Sequence, residues 1–336
     1  MPNPTQSDLH VNQPLTNVSV AWIPNAGDFI CQKVFPKVPV QKQSDMYWKW
    51  SKSDWRRTDV VKRAPGTESA GVGWNYTTDT YFAHVYAVHR DIDDQVRANA
   101  DSNFSLDSDS TKFLTNQMLL KRELDWTNTY FKDGVWDTKY TGVASGVTTN
   151  QFLHWDDAAS DPIKDVTEWK IQYRLLTGYA PSFMILGADV MKWLKSHPDI
   201  IDRIKFTQRG VVTEELIASL FDIPKLLVSY ASYSDVPRIN DAVDQDEFAA
   251  ANTGYKFIAN TKNGLMGYAP ASPSLLTPSC GYTFVWNGYH GGNSEGIRMK
   301  QFRMDHIASD RLECEMTYDM KVVAKDMGVF LDGMVA

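Results

Sequence analysis

Cysteine is scarce in this sequence: Cys31, Cys280 and Cys314 are the only three in 336 residues. They are far apart and form no CxxC pair, which argues against a zinc ribbon or a disulfide framework. Three reduced thiols in an aqueous, reducing compartment are expected. Positive charge is in deficit, with 34 Lys and Arg against 41 Asp and Glu, a formal net charge of −7. That balance argues against a dedicated nucleic-acid binder, which shows a basic face, but leaves room for a local patch. No apolar run approaches the ~18 residues of a membrane span. The opening MPNPTQSDLHVNQPL lacks the cationic start and apolar core of a secretory signal. No internal repeat and no Gly-x-Ser-x-Gly elbow occurs.

Aromatic side chains are plentiful, and 336 residues allow two or three domains. Residues 1 to about 40 are polar and small, ending in Val34-Phe35-Pro36-Lys37-Val38-Pro39-Val40. Each proline removes a donor and biases its predecessor toward extended geometry, so an extended arm with no core of its own is expected. Two strand-like runs follow. Met46, Trp48 and Trp50 share a face within Ser44–Trp55; Trp74, Tyr76, Phe82, Tyr86 and Val88 share one between Trp74 and about His89. The intervening 56–73 suits the tip of a long hairpin. A two-stranded hairpin is marginal in water, so these aromatics imply a second surface that covers them.

Residues 91–109 form an acidic connector, with Asp91, Asp93, Asp94, Asp101, Asp107 and Asp109 against Arg97 alone. A long helix is expected from about 109 to 132, capped by Asp109 or Ser110. Its inner face would carry Phe113, Leu120, Leu124 and Phe131, supported by Leu114 and Met118. From about 165 to 270 the pattern is mixed. Phe183–Leu186 reads as a buried strand and Lys225–Tyr230 as another. Between them lie a helix capped by Asp189 and interrupted at Pro198, and a second capped by Thr213. From Leu312 to Val322 apolar and polar residues alternate without a break, the mark of a half-buried strand. The fold class is α+β.

Arg63-Ala-Pro-Gly-Thr-Glu-Ser-Ala-Gly-Val-Gly-Trp74 resembles a phosphate cradle but fails as one. Val72-Gly73 stands where Lys and Ser/Thr must reach phosphate and magnesium, and no third glycine completes a dinucleotide fingerprint. A flexible tip is the better reading. His154, Asp156 and Asp157 offer ligands for a metal-dependent hydrolase. They sit in a polar stretch ending in Ser160-Asp161-Pro162, which reads as a solvated turn, with no companion cluster. His84 and His89 fall on opposite faces of their run and cannot chelate together. No catalytic residue, metal or cofactor is expected.

The order arm, long hairpin, acidic connector, long helix, α/β region and terminal strands resembles the major capsid proteins of tailed bacteriophages, with the Hong Kong 97-like fold. "KVFPKVPV", "RAPGTESAGVGW", "TDTYFAHVYAVHRDIDDQVRANAD", "SHPDIIDRIKFT" and "MTYDMKVVAKDMG" are similar to one branch of that family. They run from about residue 33 to 328. The resemblance implies an N-arm at 1–40, an E-loop at 41–90, a peripheral domain at 91–164 and 297–336 built on the long spine helix, and an axial domain at 165–296. It implies a structural protein, not an enzyme, that assembles as hexamers and pentamers into an icosahedral virion shell around double-stranded DNA, in the host cytoplasm. Its partners would be copies of itself, a portal protein, a decoration protein, and weakly held DNA. With only about 40 residues before the E-loop, scaffolding is expected from a separate protein. Some members crosslink Lys to Asn; Lys62 lies in the E-loop, but no Asn partner stands out and crosslinking is not expected. An encapsulin-like nanocompartment is the alternative shell.

Intersubunit contact is expected from Trp48, Trp50, Trp55 and Trp74 as anchors. The basic tip, Arg56, Arg57, Lys62 and Arg63, is expected to meet the connector acids Asp91, Asp93 and Asp94, or the start of the spine helix, on a neighbouring copy. Single rim pairs contribute about 0–1 kcal/mol and guide register more than affinity.

Overall fold

Regular alternation at 312–322 marks the strand around which half of the molecule is arranged. The computed structural model describes residues 26–100, 105–204, 212–234, 254–273, 277–289 and 296–336. The first 25 residues of the expected arm, and Asp101 of the connector, lie outside them. The chain runs through helix α1 (Cys31–Val34), strands β1 (Lys37–Val40) and β2 (Ser44–Trp50), helix α2 (Lys52–Arg56), and strands β3 (Tyr76–Phe82) and β4 (His84–Asp93). Helices α3 (Asp94–Asn99) and α4 (Leu106–Tyr130) follow, then β5 (Thr138–Val143), β6 (Gln151–Leu153), α5 (Pro162–Thr177) and β7 (Phe183–Gly187). Next are α6 (Ala188–Ser196), α7 (Pro198–Ile204), α8 (Glu214–Phe221), β8 (Lys225–Ser229), β9 (Ser232–Ser234) and β10 (Tyr255–Phe257). The chain closes with β11 (Gly264–Gly267), β12 (Gly281–Trp286), β13 (Ile297–Met304), β14 (Ser309–Val322) and β15 (Gly328–Asp332).

Two sheets carry the body. In the first, of order β1-β12-β14-β13, residues 309–316 of β14 are paired on both edges, by β13 on one and β4 on the other. The second has the order β6-β5-β15-β11-β7-β8. These strands divide the chain differently from the sequence ranges: β5, β6 and β15 share a sheet with β7, β8 and β11, while β12 joins β14.

Helix α4 lies across the first sheet. It begins at Leu106 after Ser105, a turn earlier than expected, so Asp109 is exposed inside the helix and Ser110 is buried. The buried stripe is Ser110, Leu114, Met118, Arg122 and Trp126, a spacing of four. Leu114 and Met118 are therefore the centre of the inner face, and Phe113 turns outward, 51% exposed. Leu120 and Leu124 pack instead against a small cluster of Phe29, Ala231 and Ile258.

The expectation that the arm has no core of its own fails for its last part. Ile30, Cys31, Val34 and Phe35 are buried in the main core, with the Phe35 ring edge-on to Trp126 at 5.9 Å. Polar anchors explain it: the Glu123 carboxylate accepts the N–H groups of Ile30 and Cys31 at 2.8 and 3.0 Å. Pro36 and Pro39 then border or occupy β1, whose position at the sheet edge tolerates a missing donor.

Strand β14 is not half-buried. Cys314, Met316 and Tyr318 face the core, but Glu315 and Thr317 on the other side are buried too. Glu315 accepts from Arg298 at 2.7 Å and Lys300 at 2.5 Å. Burial alone would raise its pKa; these two cations more than offset that and hold it below the usual range. In the second sheet, Thr213 caps α8 as expected, accepting the Leu216 N–H at 3.4 Å, whereas α6 is capped by Gly187, with Asp189 in its first turn.

Candidate assembly interface

Strand β2 pairs antiparallel with β3, Ser44 opposite Phe82 and Trp50 opposite Tyr76, and with no other strand among the described residues. The run from Trp74 to His89 is thus two strands in two sheets. The divide falls at Ala83, which is buried and donates its N–H to Gln43 at 2.8 Å. Beyond it Tyr86 stacks on Tyr318, ring centroids 4.6 Å apart, as part of the body.

The hairpin has a mounted face and an open face. Tyr47 and Tyr81 point to the body and both meet Phe284, Tyr81 stacked at 4.6 Å. Tyr47 also donates to Asp79 at 3.1 Å, and Lys49 donates to the same carboxyl at 2.6 Å, keeping it below the ordinary carboxylate range. On the open face Met46 and Trp48 are 63% and 54% exposed. Trp50 belongs to the strand, but its side chain lies outside the described residues. Trp55 sits on α2, not on the strand, and faces Trp74 at 6.3 Å; they are 59% and 61% exposed. Asp54 accepts the Asn75 N–H at 2.7 Å and so joins α2 to the returning chain. Residues 57–75 carry no helix or strand and, Asp59 apart, are exposed; around Gly71 and Gly73 no other part of the molecule comes within 4 Å of a notional side chain.

Most of the charged groups singled out by sequence have partners in their own chain. Asp91 pairs with Arg311 at 2.7 Å and Asp94 with Arg303 at 2.5 Å, each arginine holding its carboxyl below the usual range. Asp93 caps α3, accepting the Gln95 N–H at 2.7 Å. Asp107 takes both terminal nitrogens of Arg97 at 2.9 Å. On the hairpin, Arg57 meets Asp54 and Asp59 at 3.2 and 3.0 Å, and Arg63 donates to the Thr67 carbonyl. Arg56 donates to the Leu175 and Leu176 carbonyls at 2.8 and 2.6 Å. No hydrogen bond or ion pair to Lys62 is found among the described residues. Sequence reasoning missed the mounts: Tyr47 and Tyr81 were legible as the alternate positions of each strand, but nothing local points Arg56 to α5 or Lys52 to Asp326, 2.5 Å away.

Chemistry finds little foothold. The 154–157 stretch is a turn with Asp157 exposed, as expected, but Trp155 within it is fully buried and its main-chain N–H donates to the Met334 carbonyl at 2.8 Å. His154 Nδ1 lies 2.9 Å from the Gly333 carbonyl, and Asp156 accepts the Ala336 N–H at 3.2 Å. The segment seats the end of the chain. Among the described residues no three His, Cys, Asp or Glu side chains are placed to share a metal. Ser160, His197 and Asp199 come together like a triad but with the wrong polarity. The Asp199 N–H donates to His197 Nδ1 at 3.3 Å, so Nε2 carries the proton and donates to Ser160 Oγ at 3.1 Å, leaving no base for the hydroxyl. All three cysteines are buried. Burial pushes the Cys280 thiol up to about 12 and Cys314 to about 11, and raises Cys31 as well. A cleft of about 240 Å³ beside α4 is lined by groups already engaged, Tyr318 and Lys121 both bonding Asp125 at 2.7 Å.

No family model matches the chain. The major capsid protein of Burkholderia phage BcepMu is 25% identical over 295 residues, covering 84% of this chain and 86% of that protein. That of Pseudomonas phage JBD67 is 24% identical over 232 residues, 69% and 70% of the two. A phage-related protein of Bordetella bronchiseptica RB50 superposes with a TM-score of 0.67 at 18% identity, over 92% of this chain and 93% of the other. The capsid of cyanophage P-SCSP1u follows at 0.57 and 13%, over 98% and 94%. Over most of its length the chain is similar to tailed-phage major capsid proteins. Its fold is Hong Kong 97-like. An encapsulin of Synechococcus elongatus PCC 7942 shares the capsid fold, with a TM-score of 0.52 and 10% identity over 95% and 92%.

Proposed function

We propose that this protein is the shell subunit of a phage head. It assembles as hexamers and pentamers into an icosahedral container for double-stranded DNA, and acts structurally rather than as an enzyme. One observation carries the reading: Met46, Trp48, Trp55 and Trp74 stand open to solvent on a hairpin that pairs with no other strand among the described residues. Large aromatic side chains left open in this way mark interaction sites. In this reading the first sheet with α4 is the peripheral part, the second sheet is the axial part, and the N-arm and E-loop reach neighbouring copies. A separate scaffolding protein, a portal and a decoration protein are its further partners, and assembly takes place in the host cytoplasm.

Asp91, Asp93 and Asp94 are already engaged within their own chain, so the basic tip has a different counterpart on its neighbour. Lys62 is the cation of the tip best placed to supply a new pair. Expression of the chain with its scaffold, followed by electron microscopy, tests the proposal: closed shells are expected, and a stable monomer under every condition would refute it. Likeness to an encapsulin supports a second reading, a nanocompartment. Nucleic acid and a portal in the particles favour the virus; a packaged enzyme favours the compartment.

A further inference from the structure

The hairpin behaves as a lever with a pivot and a distant stop. Its pivot is the Gln43–Ala83 bond at 2.8 Å, reinforced by the Phe82 N–H on Asp319 at 2.8 Å. Along β2, seven residues span roughly 23 Å. A swing of about 10° at the pivot would move the far end by about 4 Å over that length. A contact beyond the far end therefore restrains direction far more tightly than any contact near the base.

Arg56 makes such a contact. Its two terminal nitrogens take the Leu175 and Leu176 carbonyls in the last turn of α5. These are carbonyls that a helix end leaves without intrahelical partners, at the negative end of the helix dipole. The turn is presented by Gly178, whose φ of +81° closes α5 and whose N–H donates to Arg174 at 2.8 Å. A planar guanidinium bonded through both ends fixes orientation as well as distance, which a lysine cannot do. Among the described residues the side chain of neighbouring Arg57 bonds only to Asp54 and Asp59, close by in sequence.

We infer that Arg56 is a positioning residue, which sets the direction of the hairpin, and so of the Trp55–Trp74 pair, relative to the six-stranded sheet. The inference rests on the shell-subunit reading for its consequence but not for its geometry.

Spin labels attached through Thr58→Cys and Gln172→Cys on the unassembled full chain test the geometry. A narrow distance distribution is expected for the parent and for Arg57→Ala. Arg56→Ala should roughly double its width, with Arg56→Lys between them. An unchanged width in Arg56→Ala overturns the inference. Thermal unfolding of Arg56→Ala should match the parent, since the side chain is exposed. On assembly, Arg56→Ala should give particles of mixed diameter where the parent gives one, and uniform particles would deny Arg56 its role in the shell. If the parent builds no shells at all, the shell reading falls while the distance measurement still decides the clip.

Discussion

The carboxylate of Glu123, in the second half of the long helix, accepts the main-chain N–H of Cys31, 92 residues earlier in the chain, at 3.0 Å. Its other oxygen takes Ile30, so one side chain fills the orphan donors at the start of α1. Glu123→Gln offers one acceptor for two donors and aims an NH2 group at the other. The loss should be about 1–3 kcal/mol. Chemical denaturation should register it, and limited proteolysis should cut within residues 26–36 first; an unchanged digestion pattern would mean the arm is held by its apolar side chains alone.

Trp48 presents a different balance, exposed in the free chain and in contact with Tyr76 at 5.9 Å. Trp48→Ser should leave thermal stability within about 0.5 kcal/mol of the parent, as surface changes usually do. Particle yield should fall several-fold in the same preparation. Equal yields would place the anchoring elsewhere on the hairpin.

Gly142 lies so close to the Gly333 carbonyl that a Cβ would overlap it, and the same Cβ would stand 2.8 Å from His154 Nδ1, which is itself bonded to that carbonyl. Gly142→Ala should cost at least about 2 kcal/mol by displacing the end of the chain from its seat. Calorimetry would show this as a lowered melting temperature, whereas Gly146→Ser, in open space at φ +71°, should act only through local backbone strain.

Burial raises the Asp165 carboxyl to about 6, and the nearby Asp161 and Glu168 charges add to the effect, although Trp155 Nε1 donates to it at 3.1 Å. Because the folded pKa exceeds the ordinary value, the folded state holds this proton more tightly than the unfolded chain does. Its contribution to stability is complete below about pH 4 and is lost as pH rises toward 6. Asp165→Asn, which keeps an acceptor for Trp155, should match the parent near pH 4 and melt higher above pH 6. Parallel melting curves from pH 4 to 8 would contradict this.

How much of this was legible depended on distance along the chain. Period-two alternation located β14 and the hairpin, and Thr213 announced α8, because those signals are local. The missed features are nonlocal. The α4 stripe follows Ser110, Leu114, Met118, Arg122 and Trp126, and the buried Glu123 beside it only makes sense once the arm's Ile30 and Cys31 N–H groups lie on it. Glu315 looked solvent-facing by alternation, yet Arg298 and Lys300 arrive from the paired strand to neutralise it. The connector looked like a free acidic surface because Arg303 and Arg311 are some 200 residues away in sequence, at |i−j| of 209 and 220.

Three sulfhydryls locked in the interior leave the outside chemically silent toward maleimides and other thiol probes. A single cysteine installed at the hairpin tip should therefore take up a dye or cargo cleanly, without first stripping the native ones. Whatever lattice these subunits build can then be decorated at one chosen atom per copy.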